Sequence, residues 1–212
     1  MSTYQQEQLE ALQLVRSHLR SMPTSDRRLL TDMTLDYRVY RQEVNAFIKT
    51  HLAGVCTQKC YQSRLSACCS KEGIITFFAD MVINTLVSST DQIRELIHAL
   101  QVPSRGYKCT YLGPGGCRWQ LKPIVCEMFI CEPAQTQVFD PAPAIRQEWE
   151  ALTLMKKHFT WPDRPVIFDT IETFFIKAGY SSPLMYMHNS PGLLRIKQRA
   201  KLQHSNTISQ MR

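Results

Sequence analysis

Residues 26–51, DRRLLTDMTLDYRVYRQEVNAFIKTH, carry the pattern that decides the fold class. Apolar side chains recur in this stretch at intervals of three and four residues, which places them along one face of an α-helix. We therefore predict one helix from about Asp26 to His51 that covers a hydrophobic core. The apolar stripe consists of Leu30, Met33, Tyr37, Tyr40, Val44, Phe47 and Ile48.

Helical patterns continue on both sides of this stretch. Upstream, an apolar stripe that includes Leu9, Leu12 and Val15 predicts a helix from Tyr4 to Leu19. Strand signals are few, so the predicted architecture is mainly α, a helical scaffold with irregular cysteine-rich loops. The remaining predicted helices are 75–87 with Thr76 as N-cap, one capped by Ser89 or Thr90 and closed by Pro103, a short one near Pro123, Pro143–Phe159, Val166–Ala178, and a last one near Pro191.

A chain of 212 residues predicts one domain with a sizeable core. Three segments are expected to pack together in it: N-terminal helices at 1–52, a cysteine-cluster metal-binding core at 53–135, and C-terminal helices at 136–212. The start of the chain carries Glu7 and Glu10 and lacks the apolar segment of a secretory signal. No apolar run is long enough to cross a bilayer, so we expect a cytoplasmic protein without a membrane partner.

The basic excess of the chain is densest near its C-terminal end. The net charge is +7, and LLRIKQRAKLQH contributes Arg195, Lys197, Arg199 and Lys201. Such a stripe suits an acidic partner or nucleic acid, but no aromatic residues are interleaved in it as a single-strand platform requires. A solvated helix face is the simpler interpretation, and nucleic acid is not an expected partner.

The eight cysteines fall in two short windows, and none lies outside them. Thiols stay reduced in the cytoplasm, so such a pattern indicates metal binding or catalysis before disulfides. Thiolates are soft ligands that suit zinc, copper(I) and iron–sulfur clusters. The first window holds Cys56, Cys60, Cys68 and Cys69, and the second holds Cys109, Cys117, Cys126 and Cys131.

The spacing leaves the ligand set open. Cys68 and Cys69 are adjacent, so their side chains point apart and they are not expected to bind one ion together. Eight sulfurs suit two tetrahedral zinc sites, or one [4Fe–4S] cluster together with zinc. Fewer sites, with some cysteines packed as inert core residues, fit the sequence equally well. An imidazole from His188 is a further candidate ligand.

The order of the cysteines resembles the zinc- or iron-chelating domain family known as the CxxCxxCC proteins. The matching residues begin with Cys56, Cys60 and the Cys68-Cys69 pair, and continue through Gly116-Cys117 to the run from Pro123 to Cys131. The gaps of three and seven residues in the first cluster are wider than the family's usual two. Glu127 stands where the family commonly has an arginine. The resemblance implies metal binding by these cysteines.

These observations predict a metal-binding protein that holds zinc or an iron–sulfur cluster. The second cluster ranks first among the expected ligands because it matches the family more closely and its glycines supply backbone N–H groups. One member of the Cys68-Cys69 pair is expected to contribute, and Cys56 ranks last. Two alternatives stay open: an iron–sulfur-dependent enzyme or protein-modification factor, and a zinc-stabilised interaction module with a basic C-terminal face.

Overall fold

A computed structural model describes residues 3–55, 75–103, 109–113, 116–160 and 166–186, together with residue 198. Throughout these ranges the chain is mainly α-helical with almost no strand, as the sequence predicts. The first helix, α1, spans Thr3–Ser21 and contains the predicted segment from Tyr4 to Leu19. Its apolar face is buried and packs against two later helices, α5 (Phe78–Val87) and α6 (Thr90–Gln101).

The single helix predicted from Asp26 to His51 is wrong, because the chain forms two helices there. They are α2 (Thr24–Met33) and α3 (Leu35–Phe47), separated at Thr34. The Thr31 carbonyl accepts hydrogen bonds from both the backbone N–H and the hydroxyl of Thr34, at 3.2 and 2.8 Å. These local bonds tighten the turn and replace the regular helical bond, which ends α2. Helix α3 then continues through a π-helical turn (Ile48–Leu52) into α4 (Ala53–Val55).

Helices α5 and α6 both begin with hydrogen bonds between side chains and backbone N–H groups. Phe77, not the predicted Thr76, is the N-cap residue of α5, because the Asp80 carboxylate accepts a hydrogen bond from the Phe77 N–H at 3.1 Å. The Thr76 side chain is instead buried. In α6, the predicted cap is confirmed: Ser89 Oγ accepts from the Gln92 N–H at 3.2 Å, and the Gln92 side chain returns a bond to the Ser89 N–H.

The second cysteine window follows α6 and contains short elements only. Strands β1 (Leu112–Gly113) and β2 (Gly116–Cys117) pair antiparallel. Helix α7 (Ile124–Glu127) begins one residue after Pro123, and α8 (Glu132–Ala134) leads into a second π-helical turn (Gln135–Phe139). Helix α7 confirms the predicted short helix near Pro123.

Two longer helices complete the described fold. Helix α9 spans Pro143–Thr160 and packs against α3, and α10 spans Ile167–Lys177 and packs against α5 and α9. Gly179 follows α10 at a φ of 85°, a left-handed conformation that glycine adopts without strain. Both predicted helices are confirmed, while the last one, near Pro191, lies outside the described residues.

One hydrophobic cluster joins the three predicted segments. It contains Leu12 from the N-terminal part, Met81 and Trp119 from the middle, and Phe175 and Met185 from the C-terminal part. Within the described ranges, no helix combines the length and apolar character needed to span a bilayer. Because Trp119 belongs to this hydrophobic cluster, the short elements of the second cysteine window pack on the same core as the helices.

Candidate metal centre

Cys109 and Cys117 are brought toward each other by the small hairpin. The Cys109 carbonyl accepts a hydrogen bond from the Leu112 N–H at 3.0 Å, which turns the chain into β1. Leu112 then pairs with Cys117 across the two strands. The two cysteines consequently lie at the same end of the hairpin, although seven residues separate them in sequence.

Cys126 is positioned from α5 through backbone hydrogen bonds. Asn84 Oδ1 accepts from the Leu121 N–H at 2.9 Å, and Asp80 Oδ1 accepts from the Ile124 N–H at 3.4 Å. Both acceptors are buried side chains one helical turn apart. They fix the chain between Cys117 and Cys126 against α5.

Asp80 is a buried carboxyl group at this junction. Burial raises its pKa to about 6, while the Phe77 N–H, the Arg41 guanidinium and the Ile124 N–H act in the opposite direction. Such N–H groups favour the ionised carboxylate because they stabilise its charge. Asp80 lies in the first turn of α5, where its carboxylate accepts from the Phe77 N–H and from the Ile124 N–H.

Two tyrosines lie among the thiols of Cys109, Cys117 and Cys126. The pKa of Tyr111 is raised well above its usual value by burial first, then by Tyr4 and by charge on these three cysteines. The pKa of Tyr4 rises to about 12, again mainly through burial, with additional contributions from Cys126 and Cys109. Electrostatic effects of this kind fade beyond about 10 Å. Cys109, Cys117 and Cys126 are therefore near enough to Tyr111 to affect its pKa, and Cys109 and Cys126 affect that of Tyr4. We call the buried Tyr111 and the partly buried Tyr4 the tyrosine pair.

Several buried polar groups adjoin the tyrosine pair. The Tyr111 hydroxyl donates a hydrogen bond to Gln8 Oε1, and the Trp119 ring meets Tyr111 edge to face with centroids 5.3 Å apart. Gln8 and Thr76 lie beside the Tyr4 hydroxyl and lower its pKa. Within the described residues, Gln8 Nε2, Thr76 Oγ1 and Trp119 Nε1 are buried without a well-formed hydrogen bond. These donors could stabilise negative charge on sulfur.

Cys131 differs from the other three cysteines of its window. It is buried, 7% exposed, and belongs to the hydrophobic core, whereas Cys109, Cys117 and Cys126 are partly exposed. It is also the N-cap residue of α8, where its carbonyl accepts from the Gln135 N–H at 3.0 Å. Its surroundings suit the interpretation of a packed core thiol, while its predicted role as a ligand stays a prediction.

A buried ion pair anchors the helix that carries Cys126. Glu127 Oε2 accepts hydrogen bonds from Arg41 Nε, at 3.0 Å, and from Arg41 Nη2, and the two side chains are 2% and 0% exposed. Arg41 also donates to the Tyr37 hydroxyl at 2.7 Å and to the Lys122 carbonyl at 2.6 Å. The sequence analysis did not predict this pair. Arg41 directly follows Tyr40 of the apolar stripe, and this position could have indicated a buried charge.

The first cysteine cluster, with Cys56, Cys60, Cys68 and Cys69, lies outside the described residues. Its segment begins after Val55 and ends before Ile75, whose carbonyl lies 3.9 Å from the Cys126 sulfur. Ile75, the first described residue after that segment, is thus close to Cys126. His188 and the basic residues Arg195, Lys197, Arg199 and Lys201 also lie outside the described part of the chain.

The donor set has the chemistry of a site for a thiophilic metal, but its described part is incomplete. In the part of the chain that the structure describes, no three or more histidine, cysteine or acidic side chains converge closely enough to hold a metal ion. His98 and His158 are exposed on α6 and α9. A metal ion held by the described thiols would therefore need further ligands from outside the described residues.

Comparison with protein-family models, with curated proteins and with solved structures finds no match to this chain.

Proposed function

We propose that this protein binds a thiophilic metal, either zinc or an iron–sulfur cluster, at the tyrosine pair. Cys109, Cys117 and Cys126 are the proposed ligands of the second window, and at least one thiolate of the first window completes the set. The observation that carries the proposal is the hairpin, in which Leu112 bonds to the Cys109 carbonyl and pairs with Cys117. Cys126 joins these two thiols in raising the pKa of Tyr111. The resemblance to the CxxCxxCC proteins supports the same ligands.

The neighbourhood of Ile75 supports the contribution of the first window. Cys126 contacts the carbonyl at which that segment rejoins the described chain, so Cys68 and Cys69 are only a few residues from the proposed site. A tetrahedral zinc site and a [4Fe–4S] cluster each need four sulfurs. One member of the Cys68-Cys69 pair is the nearest source in sequence, because their side chains point apart.

The surrounding residues have proposed roles of their own. Both phenols of the tyrosine pair stay neutral because burial raises their pKa values, and the Tyr111 hydroxyl donates its proton to Gln8 Oε1. Gln8 and Trp119 bring further N–H groups to the same place. Such donors partly neutralise thiolate charge and orient the ligands. When bound, the metal supplies folding energy as zinc, or a redox-active centre as an iron–sulfur cluster.

Metal analysis of anaerobically purified protein tests the proposal. We expect close to stoichiometric zinc in a colourless protein, or iron with inorganic sulfide and visible absorption. Replacing Cys109, Cys117 or Cys126 singly by serine should abolish stoichiometric binding, since each removes a ligand. A wild-type protein that contains neither metal would overturn the proposal. Zinc without colour would also exclude the iron–sulfur enzyme alternative.

Cys131→Ala is the matched control from the same window. We expect it to retain the metal and to lower the free energy of unfolding by about 1 kcal/mol, because it removes a buried core atom. Loss of metal in Cys131→Ala would instead make Cys131 a ligand, as the spacing of the second window predicts. Retention of metal in all three serine variants would contradict the proposed site.

A further inference from the structure

A groove with a volume of about 650 Å³ runs along the solvent side of α3. One wall is the exposed face of α3 from Leu35 to Lys49, and the other is formed by Val87, Gln120 and Leu121. This face is separate from the buried face of the same helix, which packs into the core. Helix α3 thus presents apolar residues on two sides, and only one of them is covered within the described residues.

The wall formed by α3 carries exposed apolar residues. Leu35 and Val39 are 52% and 46% exposed and lie one helical turn apart, and Ala46 continues the same face. Leu35 and Ala46 are eleven residues apart, which corresponds to about 16 Å along the helix axis. Two amide side chains, Gln42 and Asn45, also line this side of the groove. Exposed apolar residues edged by polar ones are typical of a surface that binds a partner.

The charged side chains of the groove are basic. Arg38 and Lys49 line it, again about 16 Å apart along the axis, and the Arg38 Nε is buried without a hydrogen-bond partner among the described residues. Arg41 also reaches the groove, but its charge is neutralised by Glu127. No acidic side chain lines the groove in the part of the chain that the structure describes.

We infer that this groove binds an acidic amphipathic helix from a partner protein. Its apolar residues would contact Leu35, Val39 and Leu121, and its carboxylates would pair with Arg38 and Lys49. The length of the groove suits three turns of helix, and the positive charge selects an acidic segment over a neutral or basic one.

The groove shares structure with the proposed metal centre. Leu121 belongs to the segment between Cys117 and Cys126, and its N–H is held by Asn84 of α5. Arg41 lines the groove and holds Glu127, which follows Cys126 directly. A helix in the groove would therefore contact the segment that carries the cysteines. The α3 residues of the groove and Val87 of α5 lie outside the cysteine window, whereas Gln120 and Leu121 belong to it.

A phage-displayed library of helical peptides about 16 residues long, with one face randomised, tests the inference on the full-length protein. We expect enriched peptides to be net acidic, with leucine-like residues one turn apart, and to bind more weakly as salt is raised. The double variant R38E/K49E should weaken their binding at least about 10-fold in fluorescence anisotropy, because it replaces attraction by repulsion.

The matched control is R27E/R28E, which makes the same change of charge at exposed positions on α2. It should leave peptide binding within about twofold of wild type. Neutral or basic peptides, no enrichment, or equal binding by R38E/K49E and R27E/R28E would each overturn the inference. Self-association or binding to phosphatidylserine vesicles that is lost only in R38E/K49E would also overturn it, by assigning the groove to a second copy or to a membrane surface.

Discussion

Glu127 shows how one residue fixes the position of a candidate ligand. It follows Cys126 in a helix of four residues, which is too short to be stable by itself. Its carboxylate is fully paired with Arg41, and Arg41 in turn holds the Tyr37 hydroxyl and the Lys122 carbonyl. Both charges are buried, so each depends on the other to compensate for lost hydration. The pair ties the Cys126 helix to α3.

Removing one partner of this pair should be costly. We expect Glu127→Gln to lower the free energy of unfolding by about 3 kcal/mol, because it leaves the Arg41 charge buried without its carboxylate. Urea denaturation measures the change. Glu132→Gln, at an exposed position one helix later, should change stability by less than about 0.5 kcal/mol. Equal stability of the Glu127 and Glu132 variants would mean that the ion pair does not anchor α7.

Sequence periodicity could not reveal this pair, because its two members are 86 positions apart. Clustered cysteines and apolar stripes are local patterns and can be recognised directly. The effect of Cys109 and Cys126 on Tyr4 depends on how α1 packs in the fold, which no local pattern specifies. The sequence therefore predicted the candidate ligands, but not the tyrosines or the ion pair that surround them.

At the scale of elements, most helix boundaries follow from capping and periodicity. Ser89 and Gln92 form a reciprocal cap that could be predicted for α6. The break at Thr34 could not, because the apolar stripe continues through it from Leu30 to Tyr37. The helix ends at Thr34 because its side chain bonds to the Thr31 carbonyl. Such a bond competes with the regular helical hydrogen bonds, and the spacing of apolar residues carries no information about it.

The end of α6 is held by α1 through Gln5. This side chain is 4% exposed, and its amide Nε2 donates to the carbonyls of Leu100 and Val102 at 2.9 and 2.7 Å. These carbonyls belong to the last turn of a helix, where intrahelical partners are missing. The chain then continues toward Cys109, so this contact also directs the approach to the second cysteine window.

Gln5→Met should destabilise the protein by about 2 kcal/mol, because the buried Leu100 carbonyl and the partly buried Val102 carbonyl would lose their donor. The side-chain volume is nearly unchanged, so the effect reports the hydrogen bonds. Thermal or urea denaturation measures it, with Gln13→Met at an exposed position of α1 as the control. A Gln5 variant as stable as the Gln13 variant would show that the end of α6 does not need this contact.

At the scale of the whole molecule, the second cysteine window and the helical scaffold share one core. Tyr111, Trp119 and Ile124 are buried together with Leu12 and Met81. The elements of the window are short, with strands of two residues and helices of three and four, so they have little stability of their own. Helix α9, with 18 residues, lies outside the window and packs on α3.

Removal of the proposed metal should consequently loosen the window more than the scaffold. We expect a chelator to lower the free energy of unfolding by several kcal/mol, about 5 or more, since metal binding energy is also folding energy in such sites. Hydrogen exchange should rise most at residues 109–131 and least in α9, because only the window depends on the thiolates for its conformation. Restoring the metal should reverse both changes.

The Cys109→Ser variant supplies the control, because its exchange should already be high and should not respond to the chelator. If wild-type protein with bound metal showed the same exchange before and after chelation, the metal would not organise this window, even though the cysteines bind it.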